Sequence, residues 1–184
     1  MPGRVWEQAF EVALDQYGFI TFEDMRDIDA DPARLRQWHQ AGKIERRGHG
    51  IYRFQQIPAT ELDSYMLATL WPSRHGVLGY DTALELHALC DVNPEKVHIV
   101  VPAGYRVSRK GGENYVLHKE NLDEKDKAWH EGIPIVTPAK AIEQAIRGAV
   151  PTHLIRQAIE TAARLGRVPA PELEKLKHVL EERQ

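Results

Sequence analysis

The sequence predicts an α+β protein built of two parts. Near the N-terminus, apolar residues recur at helical spacing in three segments, and two short strand-like runs follow them. The middle of the chain alternates strand-like with helical runs, and three amphipathic helices close it. Hydrophobic residues make up 42% of the chain and charged residues 28%, which is enough apolar material for a folded core.

The first two helices are predicted within residues 1–30. Apolar residues from Trp6 to Tyr17 follow the i, i+3, i+4, i+7 spacing, so they share one helical face, and Gly18 ends this helix. Thr21, followed three residues later by Asp24, has the pattern of a capping box. This pattern predicts a second, short helix that begins just after Thr21.

The third helix and a hairpin are predicted within residues 31–57. Asp31 is in the position of an N-cap, Pro32 in the first helical position, and Gly42 just past the end. The strand-like runs Lys43–Arg47 and Ile51–Phe54 are joined by a glycine-containing turn, which predicts a β-hairpin.

A proline-containing connection at Gln55–Ala59 predicts a boundary between a domain of residues 1–57 and a second domain of residues 60–184. In the second domain we expect helices at Glu61–Leu70, Thr82–Leu89, Pro138–Arg147, His153–Leu165 and Pro171–Glu182, and strands at Lys96–Val101, Tyr115–Lys119 and Ile133–Val136. The domain is therefore predicted to be mixed α/β. The apolar stripes of its last two helices are expected to pack against the sheet.

Three helices followed by a two-stranded hairpin is the order of a winged helix-turn-helix, and the charge distribution agrees with it. Residues 31–57 contain six cationic and two acidic side chains, a net charge of +4. Residues 1–30 contain two cationic and seven acidic side chains, a net charge of −5. The positive charge is thus confined to the two elements that this fold presents to DNA phosphates.

The third helix is predicted to point Leu35 and Trp38 inward and Arg36, Gln37 and Gln40 outward, because successive residues are about 100° apart. Arg and Gln are the side chains that bind guanine and adenine edges in the major groove. The predicted DNA-binding residues are Arg34, Arg36, Gln37, Gln40, Lys43, Arg46, Arg47, His49 and Arg53. The alternative is a solvated basic helix with a surface turn.

A second basic segment lies within residues 103–119, which carry a net charge of +3. Its candidate residues Arg106, Arg109 and Lys110 could extend a DNA-binding surface or meet an acidic partner. A solvated loop or irregular hairpin explains them equally well.

The sequence favours no catalytic, metal or cofactor site. The nine histidines lack the short spacing of a zinc site, and Cys90 is the one cysteine. The longest apolar runs, such as Val97–Val101, are far shorter than a membrane span, and no signal peptide is apparent. We therefore expect a cytoplasmic protein that is not an enzyme.

Several segments in matching order resemble the AbiEi-type antitoxins, the antitoxins of type IV toxin–antitoxin systems. They are Gly18–Thr21, Trp38–Ile44, Arg46–Arg53, Leu78–His87, Val97–Pro102 and Gly132–Ala141. The resemblance implies an N-terminal winged domain that represses the protein's own operon by binding promoter DNA. It also implies a C-terminal antitoxin-type domain that neutralises a nucleotidyltransferase-like toxin encoded alongside.

Two other functions stay open at this point. The chain could be a stand-alone winged-helix transcriptional regulator whose second domain senses a ligand or dimerises. Related winged proteins can also carry a nuclease domain, although this chain ends about where such a domain would start. The string Asp123-Glu124-Lys125 has the acid-x-lysine pattern of a nuclease but lies in a very polar stretch, which favours a solvated loop.

Overall fold

The computed structural model describes residues 3–183, which form two compact units. The first unit contains the residues up to Gly76 together with the segment Arg106–Gly112. The second contains Val77–Tyr105 and the residues from Glu113 onward. Both units combine helices with a sheet, so the predicted α+β class is confirmed. Within the described residues, no helix combines the length and the apolar character needed to cross a membrane.

The first unit follows the predicted order of three helices and a hairpin. Its elements are α1 (Arg4–Leu14), β1 (Phe19–Thr21), α2 (Phe22–Asp27), α3 (Ala33–Gln40), β2 (Glu45–Gly48), β3 (Ile51–Arg53) and α4 (Asp63–Leu70). The strands form an antiparallel sheet in the order β1-β3-β2. The β2–β3 hairpin is thus extended by a third strand, β1, which the sequence did not predict.

The helix starts of the first unit agree with the predicted capping residues. The Thr21 hydroxyl accepts a hydrogen bond from the Asp24 amide, and the Asp24 carboxylate accepts one from the Thr21 amide at 2.8 Å, which completes a capping box. Asp31 accepts a hydrogen bond from the amide of Ala33 at 2.9 Å. Helix α3 begins at Ala33 with Pro32 as its N-cap, so Asp31 lies one position before the N-cap that the sequence predicted it to be.

An aromatic cluster forms the centre of the first unit. The Trp6 ring lies 4.9 Å from both Trp38 and Phe54, in edge-to-face geometry. The fully or nearly fully buried core around it consists of Ala9, Ala13, Ile20, Met25, Leu35, Ile44, Tyr52 and Phe54. Helix α3 and the hairpin are thus fixed to the same core, which sets the position of their outer faces.

The second unit is built on a mixed five-stranded sheet. Its elements are β4 (Val77–Leu78), α5 (Tyr80–Leu86), β5 (Val97–Val101), β6 (Tyr115–Lys119), β7 (Lys127–His130), β8 (Ile133–Val136), α6 (Pro138–Arg147), α7 (Thr152–Arg164) and α8 (Ala170–Glu182). The strand order is β6-β5-β4-β8-β7, with parallel pairs β5–β6 and β4–β8. The Asp123-Glu124-Lys125 string is exposed and runs into a single 3-10 turn.

The last two helices bury the apolar stripes that the sequence predicted. Their buried residues are Ile155, Ala158, Ile159, Ala162, Leu173, Leu176 and Leu180. Helices α7 and α8 pack against α6 and against each other, whereas the sequence predicted packing against the sheet. The reason is that α6 buries residues on several sides and offers them to α7 and α8 as well as to α5.

The division between the two units lies at Gly76, beyond the connection Gln55–Ala59 that the sequence indicated. Helix α4 belongs to the first unit, since that unit extends to Gly76. Arg53 of β3 forms an ion pair at 3.1 Å with Asp63, the first residue of α4. Whether residues 1–57 and 60–184 fold separately stays a prediction.

Candidate nucleic-acid interface

Helix α3 turns a polar face to solvent, as its spacing predicted. Leu35 is fully buried and Trp38 is half-buried. Arg34, Arg36, Gln37 and Gln40 are exposed, so the helix carries two cations and two amides on its outer side. This is the side-chain chemistry that contacts base edges and phosphates.

The side chain of Arg36 is supported by an aromatic ring. Its guanidinium carbon lies 5.3 Å from the centroid of Phe22, at the start of α2. Phe22 in turn touches the hairpin turn, where Gly50 has a φ of +67° and a Cβ would lie 2.8 Å from the ring. Gly50 therefore allows Phe22, and with it Arg36, to lie close to the hairpin.

A shallow concave surface of about 290 Å³ joins α3 to the hairpin. It is lined by Phe22, Arg36, His39, Gln40, Arg46, His49, Gly50 and Tyr52. His39 is exposed, with its ring 5.9 Å from that of Tyr52. Its Nδ1 lies 3.1 Å from the Ile44 carbonyl oxygen, so the hydrogen bond requires the proton on Nδ1.

The hairpin exposes the cations that the sequence assigned to it. Lys43, Arg46, Arg47 and His49 are all exposed. The β2–β3 register shifts between Arg46 and Gly48, which leaves Arg47 at a bulge opposite no single partner. The bulge re-aims this side chain, and both faces of β2 are exposed, so adjacent arginines are accessible together.

Arg53 does not belong to this surface, which corrects its assignment as a DNA-binding residue. It is 6% exposed and forms an ion pair with Asp63. Its guanidinium also donates hydrogen bonds to the carbonyl oxygens of Phe54 and Ile57. A side chain whose donors are occupied inside the protein has a structural role and is unavailable to phosphates.

The carboxylates of α2 form ion pairs with two arginines from outside that helix. No signal in the sequence pointed to Arg74, and Arg109 was assigned to the second basic segment. Arg74 lies 2.9 Å from Asp24 and 2.7 Å from Asp27. Burial alone would lower the pKa of Arg74, but these two carboxylates raise it. Arg109 lies 3.6 Å from Glu23. Three of the seven acidic side chains in residues 1–30 are therefore paired with these two arginines.

The second basic segment lies with the first unit, because Arg106–Gly112 packs there. Arg106 and Lys110 are exposed, whereas the Arg109 side chain is 19% exposed. Arg109 donates hydrogen bonds to the carbonyl oxygens of His49 and Trp71. Of the three candidate residues, two face solvent and one fixes the segment.

The second unit contains a polar cluster around Glu120 at the end of β6. Its carboxylate lies 2.7 Å from the Lys140 ammonium and 2.9 Å from the Arg147 guanidinium. Gln144 donates a hydrogen bond to it at 2.9 Å. Burial would raise the pKa of Glu120, but the hydrogen bonds from these three groups outweigh burial and lower the pKa from 4.5 to about 2. Because Glu120 directly follows β6 and its three partners lie on α6, the cluster links β6 to α6.

Two histidines adjoin this cluster. The His118 ring stacks on Tyr80 at 3.5 Å, and its Nε2 lies 3.0 Å from the Nδ1 of His98 on the neighbouring strand. Burial, and to a lesser degree the charge of His98, lowers the pKa of His118 from 6.5 to about 4. The pair is therefore neutral near pH 7. Within the described residues, no group of three or more acidic, histidine or cysteine side chains is arranged to hold a metal ion.

The sequence of the first unit matches the family model described as "Transcriptional regulator, AbiEi antitoxin" over residues 7–55. The AbiEi resemblance is confirmed for this segment. The match includes α2, α3 and the hairpin, so the exposed cations described above lie within the AbiEi-type segment. No curated protein matches the chain.

The fold has a counterpart among solved structures. The chain is similar to the crystal structure of the RV2827C protein from Mycobacterium tuberculosis, with a TM-score of 0.54 and 18% sequence identity. The alignment covers 100% of this chain and 75% of that chain. At this identity the likeness concerns the fold alone.

Proposed function

We propose that the protein is the antitoxin of a toxin–antitoxin operon, which binds its own promoter DNA as a repressor and counteracts a nucleotidyltransferase-like toxin. The observation that supports DNA binding is the joint exposure of cations and amides on α3 and on the β2–β3 hairpin. The surface lies within the segment that matches transcriptional regulators. A chromosomal or plasmid operator as partner places the proposed site of action in the cytoplasm.

In this proposal the AbiEi-type segment acts as a winged helix-turn-helix, with α3 in the major groove and the hairpin as the wing. Arg36, Gln37 and Gln40 contact base edges, because bidentate Arg and Gln contacts discriminate bases. The phosphate contacts come from Arg34, Lys43, Arg46 and Arg47, with His49 beside them at the turn.

The antitoxin role rests on the family match and is proposed for the second unit. The description of the matching family joins transcriptional regulation to antitoxin function. The charged outer faces of α7 and α8 are the candidate surface for the toxin, because their apolar stripes are already buried. Direct contact with the toxin is not required by the proposal.

The alternative is a stand-alone winged-helix regulator whose second unit senses a ligand or dimerises. The half-buried His98–His118 pair beside Glu120 is the feature that favours it, since it brings several polar side chains together where a small ligand could bind. A small molecule that raises the melting temperature would support this alternative. A toxin-like nucleotidyltransferase gene next to the coding sequence would support the antitoxin.

DNA binding is tested by fluorescence anisotropy of a labelled duplex from the region upstream of the gene, with a scrambled duplex as reference. Arg36→Ala or Gln37→Ala should weaken binding to the upstream duplex by about 1–3 kcal/mol and leave the scrambled duplex nearly unaffected. The four phosphate contacts of α3 and the hairpin should contribute about −3.6 to the slope of log K against log salt. No binding of the unchanged protein at low salt would refute the proposal.

The two roles are separated by one variant of the full chain. Arg46→Ala/Arg47→Ala should weaken binding to every duplex and relieve repression of a promoter reporter, because it removes two phosphate contacts. The same variant should still rescue cells that express the neighbouring toxin. The matched control Arg164→Ala/Lys175→Ala removes two cations from α7 and α8 and should keep repression. Loss of rescue in the Arg46/Arg47 variant at normal protein level would contradict this division of labour.

A further inference from the structure

The segment Arg106–Gly112 is a basic strip of chain that is held on the first unit. It contains three cations and no acidic residue. The chain leaves the second unit after Tyr105 and returns to it at Glu113, and between these points it packs on the first unit. We call this segment the arm.

The arm is fixed by contacts that leave two of its cations exposed. Trp71 donates its indole N–H to the Lys110 carbonyl oxygen at 3.0 Å. A Cβ on Gly112 would lie 2.8 Å from the Trp71 ring, so this glycine allows close packing. Arg109 pairs with Glu23 and donates to the His49 carbonyl oxygen of the hairpin turn. The arm is thus anchored through its backbone and through Arg109.

The exposed cations are not compensated locally. Among residues 3–183, neither Arg106 nor Lys110 forms an ion pair. Both side chains are exposed, which differs from Arg109. The segment that carries these two unpaired cations is bonded to an arginine-bearing hairpin through Arg109, which has an electrostatic cost that an anionic ligand would offset.

A groove of about 750 Å³ separates the arm from the hairpin. It is lined by Arg46, Gly48, His49, Ser108, Arg109, Lys110 and Gly111. Its walls carry cations from both sides and no carboxylate, and Gly48 and Gly111 present backbone without side chains. Cationic walls with accessible backbone suit a phosphodiester chain, because phosphate oxygens accept from arginine, lysine and main-chain N–H groups.

We infer that the arm is a second phosphate-binding element, and that the backbone of duplex DNA flanking the α3 site lies in the groove between arm and hairpin. The inference rests on the proposed DNA-binding function and deepens it. Arg106 and Lys110 contact phosphates, whereas Arg109 positions the arm. The DNA site is therefore longer than α3 and the hairpin alone would cover.

The test compares the salt dependence of full-length variants on the upstream duplex and on a scrambled duplex. Arg106→Ala/Lys110→Ala should reduce the slope of log K against log salt by about 1.8, since two phosphate contacts are lost. The ratio of wild-type to variant affinity then shrinks about twelvefold between 50 and 200 mM salt, on both duplexes. Arg164→Ala/Lys175→Ala, with the same change in net charge, should keep the wild-type slope.

A second measurement uses the length of the DNA. Trimming the flanks of the upstream duplex should lower the affinity of the wild type until it equals that of the Arg106→Ala/Lys110→Ala variant. The affinity of the variant should not change on trimming. If the wild type binds DNA and the variant keeps the wild-type slope, the arm does not contact phosphates. The proposed DNA-binding function would still stand in that case. Failure of the wild type to bind any duplex would overturn both. An unchanged slope combined with loss of toxin rescue would assign the arm to an acidic protein partner instead, and would also overturn it.

Discussion

Acidification should destabilise the second unit through His118. Its ring is stacked on Tyr80 and its Nε2 lies 3.0 Å from the Nδ1 of His98, so the charged form of the ring is disfavoured by burial and by the neighbouring imidazole. Burial lowers the pKa of His118 from 6.5 to about 4 in the folded protein. Between these two values the unfolded chain binds a proton that the folded chain does not.

The sign of the effect follows from linkage. Because the unfolded state binds more protons in this window, the free energy of unfolding rises with pH and falls as the pH drops from 6.5 towards 4. Between pH 7 and pH 5 the loss due to His118 alone is about 2 kcal/mol. Glu120 acts in a lower window, since its pKa of about 2 makes its contribution disappear only as the pH falls below 4.5.

The assay is urea unfolding at pH 7 and pH 5, followed by far-UV circular dichroism. His118→Phe keeps an aromatic ring over Tyr80 but cannot be protonated, so the variant should lose about 2 kcal/mol less than the wild type between the two pH values. His153→Asn, at an exposed position of α7, is the matched control and should lose as much as the wild type. An equal loss in the wild type and in His118→Phe would show that protonation of His118 does not cause the pH dependence.

Two further substitutions test the supports of each unit. Gly50→Ala should destabilise the protein by about 1–3 kcal/mol in urea melts, because φ is +67° there and the new Cβ would meet Phe22 at 2.8 Å. Gly48→Ala, where the nearest side-chain atom is 3.8 Å away, is its control and should change the stability little. Glu120→Gln should cost about 1–3 kcal/mol in thermal or urea unfolding, because Lys140 is 9% exposed and loses its 2.7 Å partner, although it keeps Glu143 at 3.3 Å. Adding Lys140→Met should recover part of that loss, and no recovery would contradict this account.

Local signals predicted the parts of the fold that depend on local physics. The capping residues Thr21, Asp24 and Asp31 placed two helix starts to within one residue, because caps satisfy amides in the adjacent turn. Helical spacing also predicted which side of α3 is exposed. Strand β1 was missed because it is three residues long and buried throughout, so it shows no alternation. Strand β4, with two residues, is defined only by pairing with distant strands.

Site residues were predicted correctly as exposed where their exposure depends only on the local geometry of helix α3 or of the hairpin. Arg53 was assigned wrongly because its partner Asp63 lies beyond the connection that the sequence indicated as a boundary. The position of the arm depends on Trp71 and Arg109, which are 38 residues apart and are brought together only by the fold. Phe22 gave a signal only as an apolar helix residue, and its contact with Arg36 required the tertiary structure.

The boundary of the first unit leads to a last prediction, centred on Arg53. Its side chain is 7% exposed and its charge is balanced by Asp63 at 3.1 Å. Asp63→Asn leaves that cation buried without a carboxylate, which should cost about 3–5 kcal/mol. Glu61→Gln changes an exposed carboxylate of the same segment and is the matched control.

The same ion pair decides where the chain can be divided. A fragment of residues 1–57 lacks Asp63, whereas a fragment of residues 1–76 retains it and all of α4. The shorter fragment should therefore unfold at lower urea concentration, and Asp63→Asn should bring the longer fragment close to it. Equal unfolding free energies for the two fragments would place the boundary at the proline-containing connection. They would also show that the Arg53 guanidinium finds enough hydrogen bonds in the carbonyl oxygens of Phe54 and Ile57 to stay buried without its carboxylate.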